Sequence, residues 1–208
     1  MTLRTFIIGA TGHIGTELID LALARGHSVT AFVRSPAKIQ RSDARLCVVK
    51  GDPHDVDALA AAMAGHDAVF SALGVRPPAA FRPHTLIADC AATTVAAMTR
   101  AGVRRLYLVS VAVLFPLRGP IYAFFRWVLK HIAHDQAAAE QIVRATSLDW
   151  TIARPPRLTN GRDERYLARV DGLPEGGRAM SFRAVAAFLL DAAETGKHRH
   201  EIVGLARP

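Results

Sequence analysis

The sequence predicts a doubly wound α/β fold of the Rossmann type, a parallel sheet that carries helices on both faces. Short runs of β-branched and aromatic residues alternate with longer Ala- and Leu-rich segments, a pattern typical of βαβ units. The first apolar run leads directly into a glycine-rich loop and an amphipathic helix, as dinucleotide-binding folds do. The chain has 208 residues, of which 50% are hydrophobic and 21% charged, so it can bury a sizeable core.

Apolar runs and helical periodicity give the order of the elements. Strands are predicted at 4–8, 28–33, 46–50, 67–73, 104–110, 149–153 and 201–205. Helices are predicted at 13–25, 54–64, 84–101, 121–146 and 181–194. No repeat or linker divides the chain, so we predict one domain over residues 1–208. Segment 154–180 is rich in Pro and Gly, and we expect it to form a loop at the carboxyl edge of the sheet, where ligands bind.

Charge and cysteine content narrow the class of protein. The formal net charge of +8 comes mostly from scattered Arg residues, and we expect no nucleic-acid partner. Cys47 and Cys90 lack the spacing of a metal site, so we expect two buried thiols and no bound metal. The apolar run at the N-terminus is too short for a signal peptide, which favours a cytoplasmic protein.

A phosphate-binding loop is predicted at residues 9–15, which read Gly-Ala-Thr-Gly-His-Ile-Gly between the first strand and the first helix. Gly9 allows the tight turn, Gly12 lets backbone amides approach a pyrophosphate, and Gly15 lets the helix pack closely on the sheet. The N-terminus of the helix then faces the anion with free N–H groups.

The end of the second strand favours NADP over NAD. NAD-binding domains usually place Asp or Glu there to bind the ribose 2′-hydroxyl, whereas this strand ends in Arg34 and Ser35. A guanidinium and a hydroxyl can both bind a 2′-phosphate. Lys38 either assists them or is a solvated cation.

The tips of the third and fourth strands are expected to border the cofactor. Asp52 follows the third strand and would lie beside the adenine; alternatively, or in addition, it caps the helix that starts near His54. Gly74 ends the fourth strand and allows close approach of ribose and phosphates, and Arg76 is near enough in sequence to reach the pyrophosphate.

Several motifs together resemble the atypical short-chain dehydrogenase/reductases of the NAD(P)-binding, NmrA-like group, and within it the flavin reductase/biliverdin reductase B type. They are the loop at 9–15, Val-Arg-Ser at 33–35, Gly-Asp at 51–52, Ser-Ala-Leu-Gly at 71–74, Leu-Val-Ser-Val at 108–111 and Asp-Trp-Thr-Ile-Ala-Arg-Pro-Pro at 149–156. The resemblance implies an NADPH-binding protein that passes hydride to a flat acceptor such as a flavin, a quinone or a linear tetrapyrrole. Relatives that bind the nucleotide without chemistry, as redox sensors, make a non-catalytic regulatory protein the alternative.

The resemblance also implies which residues contact the cofactor. They are Gly9, Thr11, Gly12, His13, Ile14, Arg34, Ser35, Asp52, Leu73, Gly74, Arg76 and Ser110, with Pro155 flanking the nicotinamide side.

Two residues are candidates for a role in catalysis. Ser110 ends the fifth strand, where its hydroxyl orients the acceptor, relays a proton, or only terminates the strand by bonding local backbone. Tyr122 is a candidate proton donor, although Arg126 stands four residues later where typical short-chain dehydrogenases have Lys. Gln136 aligns with a histidine expected in the flavin reductase type, a departure that disfavours tetrapyrrole chemistry and leaves flavin or quinone reduction.

The stretch 113–132 concentrates aromatic residues among basic ones. It is interpreted as a helix packed on the sheet, a lid over the acceptor, a dimer face or a patch that contacts an anionic membrane. Residues 112–135 and 154–180 are expected to form the acceptor side, and the protein is expected to be a monomer or a homodimer.

Overall fold

Strands and helices alternate along the chain in the computed structural model, which describes residues 2–75, 78–116, 119–176 and 178–208, without the side chains of residues 121 and 122. The strands are β1 (Arg4–Ile8), β2 (Ser28–Val33), β3 (Leu46–Lys50), β4 (Ala68–Ser71), β5 (Arg105–Val109), β6 (Asp149–Arg154), β7 (Leu158–Thr159), β8 (Leu167–Val170), β9 (Met180–Ser181) and β10 (Glu201–Ala206). The helices are α1 (His13–Ala24), α2 (Val56–Met63), α3 (Leu86–Ala101), α4 (Pro120–Val128), α5 (Lys130–Arg144) and α6 (Phe182–Thr195).

Eight of the strands form one sheet in the order β3-β2-β1-β4-β5-β6-β10-β8. All neighbours in it are parallel except β8, which pairs antiparallel with β10. The doubly wound α/β fold predicted from the sequence is thus confirmed. Because the strand order reverses between β1 and β4, a crevice opens at the carboxyl ends of these two strands.

The sheet buries an apolar layer on each face. On one face α1 and α6 cover residues such as Ile7, and on the other α2, α3 and α5 cover residues such as Phe6. Successive side chains of a strand point to opposite faces, so the central strands, covered on both sides, read as continuous apolar runs.

Two predictions about elements are wrong. The helix expected over 121–146 is two helices, α4 and α5, because Leu129 between them leaves the helical conformation with φ −96° and ψ 15°. Segment 154–180 is not all loop, since it contributes β7, β8 and β9. The strand β8 escaped prediction because its four residues, Leu-Ala-Arg-Val, are all exposed and do not alternate between apolar and polar.

Cys90 is buried in α3, as predicted, whereas the prediction of a buried Cys47 is wrong. Cys47 lies on β3, which is an edge strand of the sheet and has a neighbour on one side only. None of the described helices is both long and apolar enough to cross a bilayer.

Candidate nucleotide-binding site

The glycine loop brings the ends of β1 and β4 into contact. Gly9 has a φ of +82°, a conformation that residues with a side chain rarely adopt, and a Cβ there would lie 2.6 Å from the carbonyl oxygen of Ala72. Both the backbone conformation and the lack of space therefore exclude a side chain. A Cβ on Gly15 would lie 2.2 Å from the carbonyl oxygen of Gly9, because α1 packs directly against the loop. Gly12 closes the turn by donating its N–H to the Gly9 carbonyl at 2.9 Å.

The N-terminus of α1 is open to an anion. Gly12 is its N-cap residue, no side chain among the described residues caps the helix, and the first turn contains no acidic residue. The first N–H groups of a helix have no partner within it, and the helix dipole favours negative charge there. Thr11 lines an adjacent pocket of about 200 Å³, together with Asn160 and Gly161 from the segment after β7.

The parallel strands β2 and β3 end at the same carboxyl edge of the sheet as β1. Arg34 and Ser35 are exposed, and within the described ranges Arg34 forms no ion pair. Burial raises the pKa of the Cys90 thiol to about 11; the charge of Asp52 adds to the rise and that of Arg34 opposes it.

The helix after Asp52 is capped by another residue. The side chain of Asp55 accepts the N–H groups of Asp57 and Ala58, whereas Asp52 accepts the N–H of His54 at 3.0 Å in the turn before the helix. The alternative interpretation of Asp52 as the helix cap is therefore wrong.

A cleft of about 340 Å³ lies where the glycine loop, the tips of β4 and β5, and the helices α3, α5 and α6 meet. Six of the residues predicted to contact the cofactor line it: Gly12, His13, Ile14, Leu73, Gly74 and Ser110. Gly9 and Thr11 belong to the adjoining loop. Pro155 is buried and is not among the lining residues, and its carbonyl accepts the N–H of Ala112 at 3.0 Å.

Two other predicted residues lie wholly or partly outside the described structure. Arg76 lies outside the described residues. Tyr122 belongs to α4, and its side chain is outside the description, so both remain predictions.

The cleft fits a nucleotide that carries polar groups. His84 and Gln136 line it, and among the described residues His84 Nε2 and Gln136 Oε1 are buried without a hydrogen-bond partner. A buried polar atom without a partner costs free energy, which a polar group of a ligand would recover. A Cβ added to Gly74 would meet no atom of the described residues within 4 Å, so in this part of the structure the tip of β4 leaves space for a ligand.

The hydroxyl of Ser110 is held by a carboxylate. It donates to Oε1 of Glu140 at 2.5 Å, and Glu140 also binds the guanidinium of Arg154 at 2.9 and 2.5 Å. The interpretation of Ser110 as a strand terminator that bonds local backbone through its hydroxyl is therefore wrong. In this arrangement the Ser110 oxygen offers lone pairs to a ligand, while its proton is engaged.

Sequence reasoning missed a second buried carboxylate. Asp135 of α5 caps α3 by accepting the N–H groups of Ile87 and Ala88 at 2.9 Å each. His84, just before α3, has its Nε2 at 3.5 Å from Asp135. Its Nδ1 is 2.8 Å from the carbonyl oxygen of Arg82, and since that oxygen can only accept, Nδ1 is the protonated nitrogen.

These missed residues left weak signals in the sequence. His84 follows Pro83 as the first residue of the helix predicted at 84–101, and the helix after a parallel strand begins near the carboxyl edge of the sheet. Arg154 belongs to the Ala-Arg-Pro-Pro segment already noted. No local pattern links Glu140 or Asp135 to their partners.

Comparison with known proteins agrees with this geometry. Residues 9–195 match a family model described as NAD(P)H-binding. An uncharacterised chloroplast protein of Arabidopsis thaliana is 31% identical over 171 residues, which cover 76% of this chain and 60% of that protein. The oxidoreductase stcQ of Emericella nidulans is 27% identical over 220 residues, which cover 94% of this chain and 79% of that protein.

A solved structure is also similar over the full length. A Rossmann-fold NAD(P)-binding family protein from Shigella flexneri has a TM-score of 0.77 and 27% identity, covering 100% of this chain and 95% of its own. The alignment with the Arabidopsis protein spans less than two thirds of that protein. The family model covers the chain from the glycine loop through α6, and the chain therefore belongs to the NAD(P)H-binding family of Rossmann-fold proteins.

Proposed function

We propose that the protein is an NADPH-dependent oxidoreductase that passes hydride to a flat acceptor such as a flavin or a quinone. The observation that carries the proposal is the cleft of about 340 Å³ beside the glycine loop. Its walls are mainly apolar, with Ile14, Leu73 and Phe182 among them, and its few polar groups converge from α3, β5 and α5. Apolar walls with a few fixed polar groups suit a flat aromatic ring stacked beside a cofactor.

Arg34 supports NADP as the preferred dinucleotide. It stands at the carboxyl end of β2, where the 2′ position of the adenosine ribose is read in this fold. Its exposed guanidinium can bind a 2′-phosphate in bidentate fashion, and Ser35 beside it can add a hydrogen bond.

The chemistry requires one hydride and one proton. When bound, NADPH supplies the hydride, so that NADPH, a proton and a quinone or flavin give NADP⁺ and the reduced acceptor. The apolar walls of the cleft exclude water, and the open N-terminus of α1 holds the phosphates. His84 lines the cleft, and because its Nδ1 carries the proton of the neutral ring, its Nε2 can deliver a proton only after taking one up from solvent; we assign His84 this relay of the proton to the acceptor.

The proposal is tested by following NADPH oxidation with purified protein and a panel of FMN, riboflavin and soluble quinones. We expect turnover with at least one acceptor and a lower KM for NADPH than for NADH. Arg34→Ala should raise the KM for NADPH by about tenfold or more, because a charge-assisted hydrogen bond is lost, and leave the KM for NADH unchanged. Arg45→Ala, which removes an exposed cation paired with Asp43, serves as the control.

A non-catalytic NAD(P)H sensor is the second candidate function. The engaged hydroxyl of Ser110 favours it, because a group that donates its proton to Glu140 offers none to an acceptor. Tight NADPH binding without oxidation by any member of the panel would contradict the reductase and support the sensor.

A further inference from the structure

The helix α4 exposes large apolar side chains that neither the fold nor the proposed reaction uses. Phe124, Phe125 and Trp127 are 59%, 48% and 68% exposed. All five residues 123–127 are exposed, so more than one full turn of the helix stands away from the body of the protein. Such a concentration of exposed aromatic surface usually marks an interaction site.

The three aromatic residues form one surface. With 100° between successive residues, Trp127, Phe124, Val128 and Phe125 fall within an arc of about 160° on one side of α4. The Phe124 ring centroid is 5.9 Å from that of Phe125 and 6.4 Å from that of Trp127, so the side chains are mutually packed. We call this surface, formed by Phe124, Phe125 and Trp127, the aromatic face.

The surroundings of the aromatic face are basic. From Val111 to His134 the sequence contains no Asp or Glu, whereas it contains Arg118, Arg126 and Lys130. Arg126 and Lys130 are exposed, and no ion pair involves either of them in the part of the chain that the structure describes. They also line a cavity of about 410 Å³ under α4, whose other walls include Val113 and Phe115.

We infer that the aromatic face of α4 rests on a membrane surface that contains anionic lipid. An amphipathic helix with aromatic residues on one face and cations on the other lies in the interface between headgroups and acyl chains. Trp suits that interface because its ring is apolar and its N–H is polar, and each cation near an anionic surface adds attraction. A bilayer would also bring lipophilic acceptors close to the turn that follows Ser110.

A second copy of the chain fits this surface less well. Nine helical residues are about 13 Å long, and a stable dimer usually buries about 800 Å² on each partner. Two copies, each with a formal net charge of +8, also repel each other, whereas anionic headgroups attract the basic segment that contains α4.

The inference is tested by flotation with phosphatidylcholine vesicles, with and without an equal amount of phosphatidylglycerol. We expect the protein to float with the mixed vesicles, less so with pure phosphatidylcholine, and to detach as salt is raised. The fluorescence of Trp127 should shift to the blue on binding, since the other tryptophan, Trp150, is only 7% exposed and already buried.

Paired variants distinguish vesicle binding through the aromatic face from nonspecific hydrophobic adsorption. Phe124→Ser combined with Trp127→Ser should weaken vesicle binding by about tenfold or more, because two large apolar side chains no longer leave water. Phe81→Ser, which removes a ring of similar exposure, 51%, outside α4, should bind like the wild type. NADPH affinity, measured without vesicles, should be unchanged in both and shows that they are folded.

Two outcomes would overturn the inference. One is that the wild-type protein stays unbound with the mixed vesicles, or that the double variant binds them equally well. The other is that light scattering shows a dimer which the double variant converts to a monomer while vesicles capture neither, which would assign the face to a second copy. Because NADPH oxidation is measured with soluble acceptors, failure here leaves the proposed reductase activity standing.

Discussion

His84 joins the capped end of α3 to the cleft. Its Nδ1 is used by the Arg82 carbonyl, and its Nε2 has no hydrogen-bond partner among the described residues. If it delivers the proton, His84→Gln should lower kcat for NADPH oxidation by about a hundredfold, the effect of losing a general acid. The affinity for NADPH should change little, because the phosphate site that we propose lies at the N-terminus of α1.

A matched substitution serves as the control for His84. His66 precedes β4 at the opposite edge of the sheet, so His66→Gln should leave kcat unchanged. An equal loss in the two variants would show that His84 contributes only to stability, and an unchanged kcat in His84→Gln would mean that the proton comes from water.

The half-buried ring of His66 leads to a prediction about how the free energy of unfolding depends on pH. Its Nε2 is 2.8 Å from the Thr30 hydroxyl, and burial lowers its pKa below the ordinary 6.5, opposed by the bond to the Met63 carbonyl. The unfolded chain therefore takes up a proton at a higher pH than the folded chain. Stability contributed by the neutral ring is present above about pH 6.5 and is lost as pH falls toward the folded-state pKa.

The measurement is the unfolding free energy from urea titrations between about pH 7.5 and about pH 5. The wild-type protein should lose more stability over this range than His66→Gln, because the glutamine cannot titrate. Parallel curves for the two proteins would show that His66 has the same pKa in both states.

At the scale of elements, one buried carboxylate ties α5 to two strands. Glu140 binds the hydroxyl of Ser110 at the end of β5 and the guanidinium of Arg154 at the end of β6, and the side chains of Glu140 and Arg154 are 4% and 12% exposed. Glu140→Ala leaves a buried guanidinium without its partner, so we expect a loss of about 3–5 kcal/mol in unfolding free energy.

An exposed ion pair provides the comparison. Asp57 and Arg100 bridge α2 and α3 with side chains 89% and 60% exposed, and Asp57→Ala should cost about 1 kcal/mol or less. Chemical denaturation of both variants measures the difference. A cost for Glu140→Ala as small as that for Asp57→Ala would mean that water reaches Arg154.

At the scale of the whole molecule, cofactor binding should couple to folding. At a hundredfold excess over its Kd, NADPH stabilises the folded state by about 2.7 kcal/mol, which raises the thermal midpoint by roughly 5–10 °C in a chain of this size. Substitutions at two glycines distinguish an effect on folding from an effect on NADPH binding. A Cβ on Gly15 would meet backbone, whereas a Cβ on Gly74 would meet no atom of the described residues.

Gly15→Ala should lower the midpoint without ligand, since its Cβ would overlap the Gly9 carbonyl, a cost of about 1–3 kcal/mol. Gly74→Ala should leave that midpoint unchanged and reduce the rise caused by NADPH. Differential scanning fluorimetry with and without NADPH measures both. A full NADPH shift in Gly74→Ala would place the nucleotide away from the tip of β4.

Much of the fold could be predicted because its signals are local. The alternation of apolar runs, the glycine loop at 9–15 and the position of Arg34 each depend on residues that are neighbours in the sequence. The helix break at Leu129 was missed because apolar periodicity continues through it.

Contacts between distant residues could not be predicted in this way. The antiparallel partner of β10, the cap that Asp135 places on α3 and the link from Glu140 to Ser110 and Arg154 join segments far apart in the sequence. Propensity and periodicity describe one segment at a time, whereas these contacts exist only once the sheet has set its strand order. The choice of cofactor class was therefore readable from the sequence, and the polar groups that surround the cleft were decided by packing.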